Sequence, residues 1–387
     1  MLYLQKMVDM KNVKVRNPFI TNGYAGPDYF CDRVKETNTI IDLITNGNNL
    51  ALISPRRIGK TELITHCFNQ QEIAKNYNTF IIDIYSTNSV RDMVNVFGKA
   101  IIDELRTKGR GAWENFLDIL KSLKQEISFD INGNPSWSLS IGAITNPEIT
   151  LDEIFKYLNQ ADKPCLVAID EFQQITHYDD PNIEALLRTY IQRTTNANFI
   201  FSGSHRHIMG EMFISPARPF YQSVTLMSLD VLDAEKYNSF AMQKFEDYGK
   251  HLDKDVVPRL FDYFNGITSY IQRIMNVMFM KTLQGATCNT PMIEESINYL
   301  LDLASETYET LLRQMPEKQR DVFIAISKEK EARNVKSGKF VQKYRLTSAS
   351  SVNSAVKGLL DKDFITLQDD AYIIYDKFFE LWLNRNY

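Results

Sequence analysis

The sequence predicts an α/β domain built on a mainly parallel sheet, followed by a helical segment and closed by a small module of helices with a β-hairpin. Three observations predict it. Short apolar runs alternate with amphipathic stretches through about the first 230 residues; strand character then fades; and three short helical patterns followed by two strand patterns fill the last 75 or so.

At 387 residues the chain is long enough for two or three domains. Its 44% apolar and 24% charged residues are ordinary for a globular protein. A net charge of −4 argues against a nucleic-acid binder on whole-protein charge, although it leaves room for a local basic face. The four cysteines, Cys31, Cys67, Cys165 and Cys288, form no CxxC pair and are expected as free thiols. The opening MLYLQKMVDMKNVKVR lacks a long apolar core and a small-residue cleavage site, and no run approaches the roughly 20 apolar residues that span a bilayer. A cytoplasmic protein without membrane segments is the expectation.

Ile40, Ile41, Leu43 and Ile44 follow the helical period after an opening loop. Asn49–Ile53 reads as a buried strand, and the stretch from Thr61 to Asn69 as a helix. Phe80–Tyr85 is a second strand and Val90–Leu105 a second helix. Residues 107–149 break this rhythm, and FDINGNPSWSLSIG has alternating apolar residues about an Asn-Gly; the segment is expected to be an insertion carrying a hairpin. Leu151–Leu158 returns to helix, Cys165–Ile169 is a third strand, Ile183–Thr194 a helix, Phe199–Phe201 a fourth strand and Val224–Leu226 a fifth. Three domains are expected: 1–228, the α/β domain; 229–308, a helical lid; and 309–387, a winged helix. The last has helices at Lys318–Ser327, Lys339–Tyr344 and Ser350–Leu360, the third N-capped by Ser348, and strands Phe364–Leu367 and Tyr372–Ile374 around an Asp369-Asp370 turn.

The chemistry is concentrated in S54-P-R-R-I-G59-K60-T61, between an apolar strand and a helix. A phosphate tail needs backbone N–H groups converging at a helix N-terminus, a cation and a hydroxyl for Mg²⁺. Gly59 lets the backbone approach, Lys60 is expected on the β- and γ-phosphates, and Thr61 on the metal, so the loop Ser54, Pro55, Arg56, Arg57, Ile58, Gly59, Lys60, Thr61 and Glu62 is the candidate binding segment for ATP or ADP. Ser54 stands where the pattern usually opens on glycine. The strand C165-L-V-A-I-D170 followed by Glu171 carries two carboxylates to the edge where open α/β folds bind ligands. Asp170 is expected to hold Mg²⁺ and Glu171 to polarise the attacking water. Ser204, or Ser202, at the end of F199-I-F-S-G-S204 is a candidate sensor of the γ-phosphate, and Arg218 a candidate charge-sensing arginine in cis or for a neighbouring subunit. His205 and His207 lack nearby carboxylate or thiolate partners and are expected to be bystanders.

Together, N17-P-F, D28-Y-F-C-D-R33, the SPRR-GKT loop, I169-D-E-F-Q-Q174, F201-S-G-S204, R218-P-F-Y221 and the terminal D376-K-F-F-E-L-W382-L resemble the archaeal-type ATPase family, an AAA/STAND-like branch of the P-loop NTPases. The resemblance runs from about residue 17 to 385. It implies a P-loop NTPase core with the additional-strand sheet order, a helical lid and a C-terminal winged helix, and it places Asn17–Arg33 near the adenine. The family's lid turn reads G266-I-T-S-Y-I-Q272 here, with Thr268 where proline is common, and Arg33 and Glu36 occupy a departed Gly-Arg-Glu-like box.

Two functions follow. One is an ATP-driven switch in which nucleotide binding and hydrolysis change a partner interface, the winged helix packing back on the nucleotide domain; the partner is an unidentified protein. The other is an ATP-regulated DNA-binding protein, since Glu317–Lys357 holds ten Lys/Arg against four Asp/Glu.

Overall fold

The computed structural model describes residues 15–123, 128–129, 135–136, 144–329, 331–368 and 370–387. They divide into two compact units, one of residues 20–237 with 267–269, the other of residues up to 19, 238–266 and 270–387.

In the first unit five strands form one parallel sheet: β1 (Leu50–Ile53), β2 (Asn78–Asp83), β3 (Cys165–Asp170), β4 (Ala197–Gly203) and β5 (Thr225–Ser228), ordered β2-β3-β4-β1-β5. The expected additional-strand order is therefore present: β4 lies between the phosphate-loop strand β1 and the acidic strand β3. The side-chain period of two splits the strands between two cores. Ala51, Phe80, Ile82, Val167, Phe199 and Phe201 face one, Leu50, Leu52, Leu166, Ala168 and Ile200 the other. Helices Val90–Lys108 and Pro147–Gln160 cover the first face, and Val34–Thr45 and Lys60–Phe68 the second. β3 is buried at every residue, which is why it reads as an unbroken apolar run.

The segment expected to be an insertion is in its first third part of this core. Gly109, at φ 104, ends one helix and begins Arg110–Ile119, whose Trp113, Phe116 and Leu117 are buried in the first cluster. Beyond it Ser128–Phe129 pairs antiparallel with Pro135–Ser136, the expected hairpin; its Asn-Gly turn lies outside the described residues.

The second unit contains the lid helices and the winged helix. The N-P-F motif is anchored here: Asn17 Nδ2 donates to the Asn276 carbonyl (2.9 Å), Asn276 Nδ2 donates to the Phe19 carbonyl (2.7 Å), and Phe19 is fully buried beside Phe245 and Phe279. A short parallel pair, His251–Leu252 with Thr287–Cys288, lies within the region expected to hold helices without strong strands. The expected boundary at residue 308 falls inside one helix, Pro291–Gln314. The winged helix has helices Glu317–Ser327, Gly338–Lys343 and Ala349–Leu360, the last capped by Ser348, and a hairpin of Ile365–Gln368 with Ala371–Ile374. Asp369 of its turn lies outside the described residues. The terminal Lys377–Asn386 helix, capped by Asp376, stacks Phe379 on Tyr308 at 4.5 Å and donates the Trp382 indole N–H to Ser305 at 2.9 Å.

Candidate active site

The loop between β1 and the Lys60–Phe68 helix turns back through two left-handed residues, Arg57 (φ 68) and Gly59 (φ 90). Glycine takes this region without strain and arginine does not, so Arg57 is a position where the surroundings impose the conformation. Its carbonyl accepts the Ser269 N–H at 3.0 Å. Ser54 is fully buried without a positive φ, which is why the loop tolerates a side chain where the pattern usually has glycine. Ile58 anchors the loop in the second core cluster, and Glu62 lies in the first helical turn.

Lys60 is buried, and its ammonium donates to the carbonyls of Ser54 (3.1 Å) and Pro55 (3.0 Å). Burial lowers its pKa from the usual lysine value, opposed by the nearby Glu171 and Asp170 carboxylates. The Thr61 hydroxyl donates to Asp170 Oδ2 at 2.5 Å. Asp170 ends β3, and the parallel register places Asp83 of β2 beside it. Burial raises the Asp83 carboxyl above its ordinary value, the neighbouring Asp170 and Glu171 adding to the shift. A hydroxyl and a carboxylate in contact beside a phosphate loop are the hard oxygen donors that Mg²⁺ takes. Among the described residues no three His, Cys, Asp or Glu form a metal cage, so His205 and His207 are in no such group. A site with few protein ligands suits a cation that completes its shell with phosphate and water oxygens.

Glu171 follows β3 in a left-handed conformation (φ 54). Its Oε2 accepts from the Ser204 hydroxyl (2.8 Å) and from Gln173 Nε2 (2.5 Å). Arg56 Nε donates to Ser204 Oγ (2.8 Å) and lies 3.8 Å from Glu171 Oε1. The Arg56 guanidinium also sits 5.4 Å from the centroid of the exposed Tyr85 ring. Of the two serines offered as sensors, Ser204 joins this network, while Ser202 is fully buried and its hydroxyl has no partner among the described residues.

Thus Lys60, Thr61, Asp170, Glu171, Ser204 and Arg56 are brought together. Arg218 is not. It pairs with buried Glu184 and, at 3.8 Å, with Glu211. Sequence reasoning did not find Gln173 or Asp83. A signal existed for both: Asp83 is a carboxylate ending the strand next in order to β3, and Gln173 lies in the I169-D-E-F-Q-Q174 motif, where it was given no role of its own.

The sheet order, the phosphate loop after β1 and the Asp-Glu pair after β3 define a P-loop ATPase fold carrying a C-terminal winged helix. The chain belongs to the family of ATPase domains found predominantly in Archaea, which residues 30–274 match; residues 306–385 match a probable winged helix domain. No curated protein matches the sequence. Among solved structures it is similar to the Walker-type ATPase PABY2304 of Pyrococcus abyssi, at 15% identity and a TM-score of 0.61 over 95% of this chain and 99% of that one. It is also similar to the ORC2 protein of Aeropyrum pernix in ADPNP–ADP complexes (12% identity, TM-score 0.57, 96% and 97% covered). A third is the Aeropyrum pernix ORC1 protein in complex with DNA (10% identity, TM-score 0.54, 96% and 97% covered). At these identities the likeness is one of fold.

Proposed function

We propose that this protein binds ATP and hydrolyses it with Mg²⁺, and that it works in the cytoplasm as a nucleotide-dependent switch acting on a protein partner. The observation that carries the reading is the Thr61–Asp170 contact, with Glu171 adjoining, at the carboxyl edge of the sheet beside Lys60. Thr61 and Asp170 would hold Mg²⁺, which would supply positive charge to offset that of the phosphate oxygens. Lys60 would exchange its two loop carbonyls for phosphate oxygens. Glu171 would orient the water whose oxygen bonds to the γ-phosphorus as the bond to the bridging oxygen breaks and its electron pair leaves on ADP. The switch part of the reading is supported by the Arg57 carbonyl, which holds the Ser269 N–H in the first turn of the Thr268–Lys281 helix. A rearrangement of the loop around phosphate would then be felt at residues 267–269, which belong to the same unit as the loop.

The test is ATP hydrolysis by wild type, Lys60→Ala and Glu171→Gln, with bound nucleotide and mass measured together. Turnover lost in both variants, with ATP retained by Glu171→Gln, is expected. Wild type that binds no ATP with Mg²⁺ would reject the reading.

A second reading, an ATP-regulated DNA-binding protein, is favoured by one observation. Lys339 and Arg345 of the basic winged-helix segment are exposed and form no ion pair among the described residues.

A further inference from the structure

Glu171 is more tightly held than a water-orienting carboxylate needs to be. Both acceptor directions of its Oε2 are occupied, by Ser204 and by Gln173, and Arg56 faces its other oxygen. Gln173 has been placed at some cost: it is 3% exposed, and its Oε1 is buried without a hydrogen-bond partner among the described residues. Swapping the two ends of the amide would put that oxygen against the Glu171 carboxylate, so the orientation follows from the network. The space for it comes from Gly203, where an added Cβ would lie 2.5 Å from Gln173 Oε1 and 2.5 Å from Met209 Sδ. Ser204 in turn is a relay, accepting from Arg56 and donating to Glu171.

We propose that Arg56, Ser204 and Gln173 form a latch on Glu171, and that Arg56 is a positioning residue shared between this carboxylate and the terminal phosphate of ATP. A phosphate carries more charge than a carboxylate and matches the guanidinium fork, so it competes for Arg56 whenever a γ-phosphate is in the loop. Moving Arg56 removes the donor that orients the Ser204 hydroxyl. Ser204 then turns, one lone pair of Glu171 opens, and a water can be held there. Gln173 stays, keeping the carboxylate aimed. Tyr85 gives the guanidinium a surface to lie on in either position. ADP, without the third phosphate, leaves the latch closed. The proposal rests on the ATPase reading and adds to it how the site tells ATP from ADP.

The experiment compares wild type, Arg56→Ala, Arg56→Lys, Gln173→Ala and Ser204→Ala. ATP and ADP affinities are measured by titration with Mg²⁺, and single-turnover hydrolysis is followed at saturating ATP. Arg56→Ala is expected to weaken ATP by about tenfold or more and ADP by less than about twofold, with Arg56→Lys recovering part of the ATP affinity. Gln173→Ala and Ser204→Ala each remove a donor that aims the carboxylate, so single-turnover hydrolysis at saturating ATP is expected to fall about tenfold while ATP affinity changes by less than about twofold. Equal losses for ATP and ADP in Arg56→Ala, or an unchanged single-turnover rate at saturating ATP in both of the other variants, overturn the latch while leaving the ATPase reading intact. If one of these variants does not fold, the other still reports. A wild type that holds no ATP, or a Lys60→Ala variant that holds it equally well, overturns the underlying reading instead.

Discussion

Thr61 Oγ1 donates to Asp170 Oδ2 at 2.5 Å across 109 residues of chain. The two groups meet because β1 and β3 flank β4 in one parallel sheet, so the loop after β1 and the end of β3 open on the same edge. A hydroxyl bonded to a carboxylate is oriented before any metal arrives.

Thr61→Val removes the hydroxyl at nearly constant volume. It is expected to weaken ATP binding about ten- to a hundredfold with Mg²⁺ present, and to leave binding in chelator almost unchanged. Calorimetric titration under both conditions checks this. An equal loss in chelator would mean that Thr61 serves the loop's shape and has no part in holding the metal.

Arg218 separates structure from sensing. Its pairing with buried Glu184 predicts that Arg218→Ala lowers unfolding free energy by about 1–3 kcal/mol, because Glu184 would be left buried with its main partner gone. Turnover per folded molecule is expected to change little in a monomer. Denaturant unfolding beside turnover decides the matter: a large loss of turnover at unchanged stability would return Arg218 to the role of an arginine finger.

The loop and the acidic pair were legible because each depends on local order. LALI before S-P-R-R-I-G-K-T, and CLVAID before Glu171, carry strand and motif within about ten residues of sequence. The partners of Arg218 and Glu171 were not legible, since Glu184 and Ser204 reach them only through the sheet order. The helix Arg110–Ile119 is a different case. Trp113, Phe116, Leu117 and Leu120 recur at helical spacing and are buried, so the signal was present beside the stronger Asn-Gly hairpin pattern that follows it. The two-residue strands of the second unit are too short to impose any period.

Phe201 on β4 is fully buried among Phe172, Phe213 and Phe220, with ring centroids 4.5, 5.5 and 5.6 Å away. Phe201→Ala is expected to cost about 3–5 kcal/mol, measured by denaturant unfolding. Because β4 ends at Gly203, beside Gln173, the variant is also expected to lose nucleotide binding before it unfolds globally. A cost below about 1 kcal/mol would mean that the cluster repacks around the gap.

Lys343 decides how much of the winged helix's basic charge is available to DNA. It is exposed, yet its ammonium donates to Glu329 Oε1 at 2.7 Å, and the Tyr344 hydroxyl donates to the same oxygen at 2.8 Å. These hydrogen bonds, that from Lys343 foremost, hold the Glu329 carboxyl below its usual value of 4.5. The folded carboxyl being the stronger acid, its contribution to stability is present above about pH 4.5 and is lost as pH falls through the lowered value. At neutral pH the pair is intact and Lys343 is partly neutralised. If the winged helix contacts DNA, Glu329→Gln should therefore strengthen binding, and Lys339→Gln or Arg345→Gln should weaken it and reduce the salt slope by about 1 each. Fluorescence anisotropy with a duplex across a salt series measures all four proteins together. Affinity that ignores salt and all three substitutions would place the basic segment outside any DNA interface and leave the switch as the sole reading.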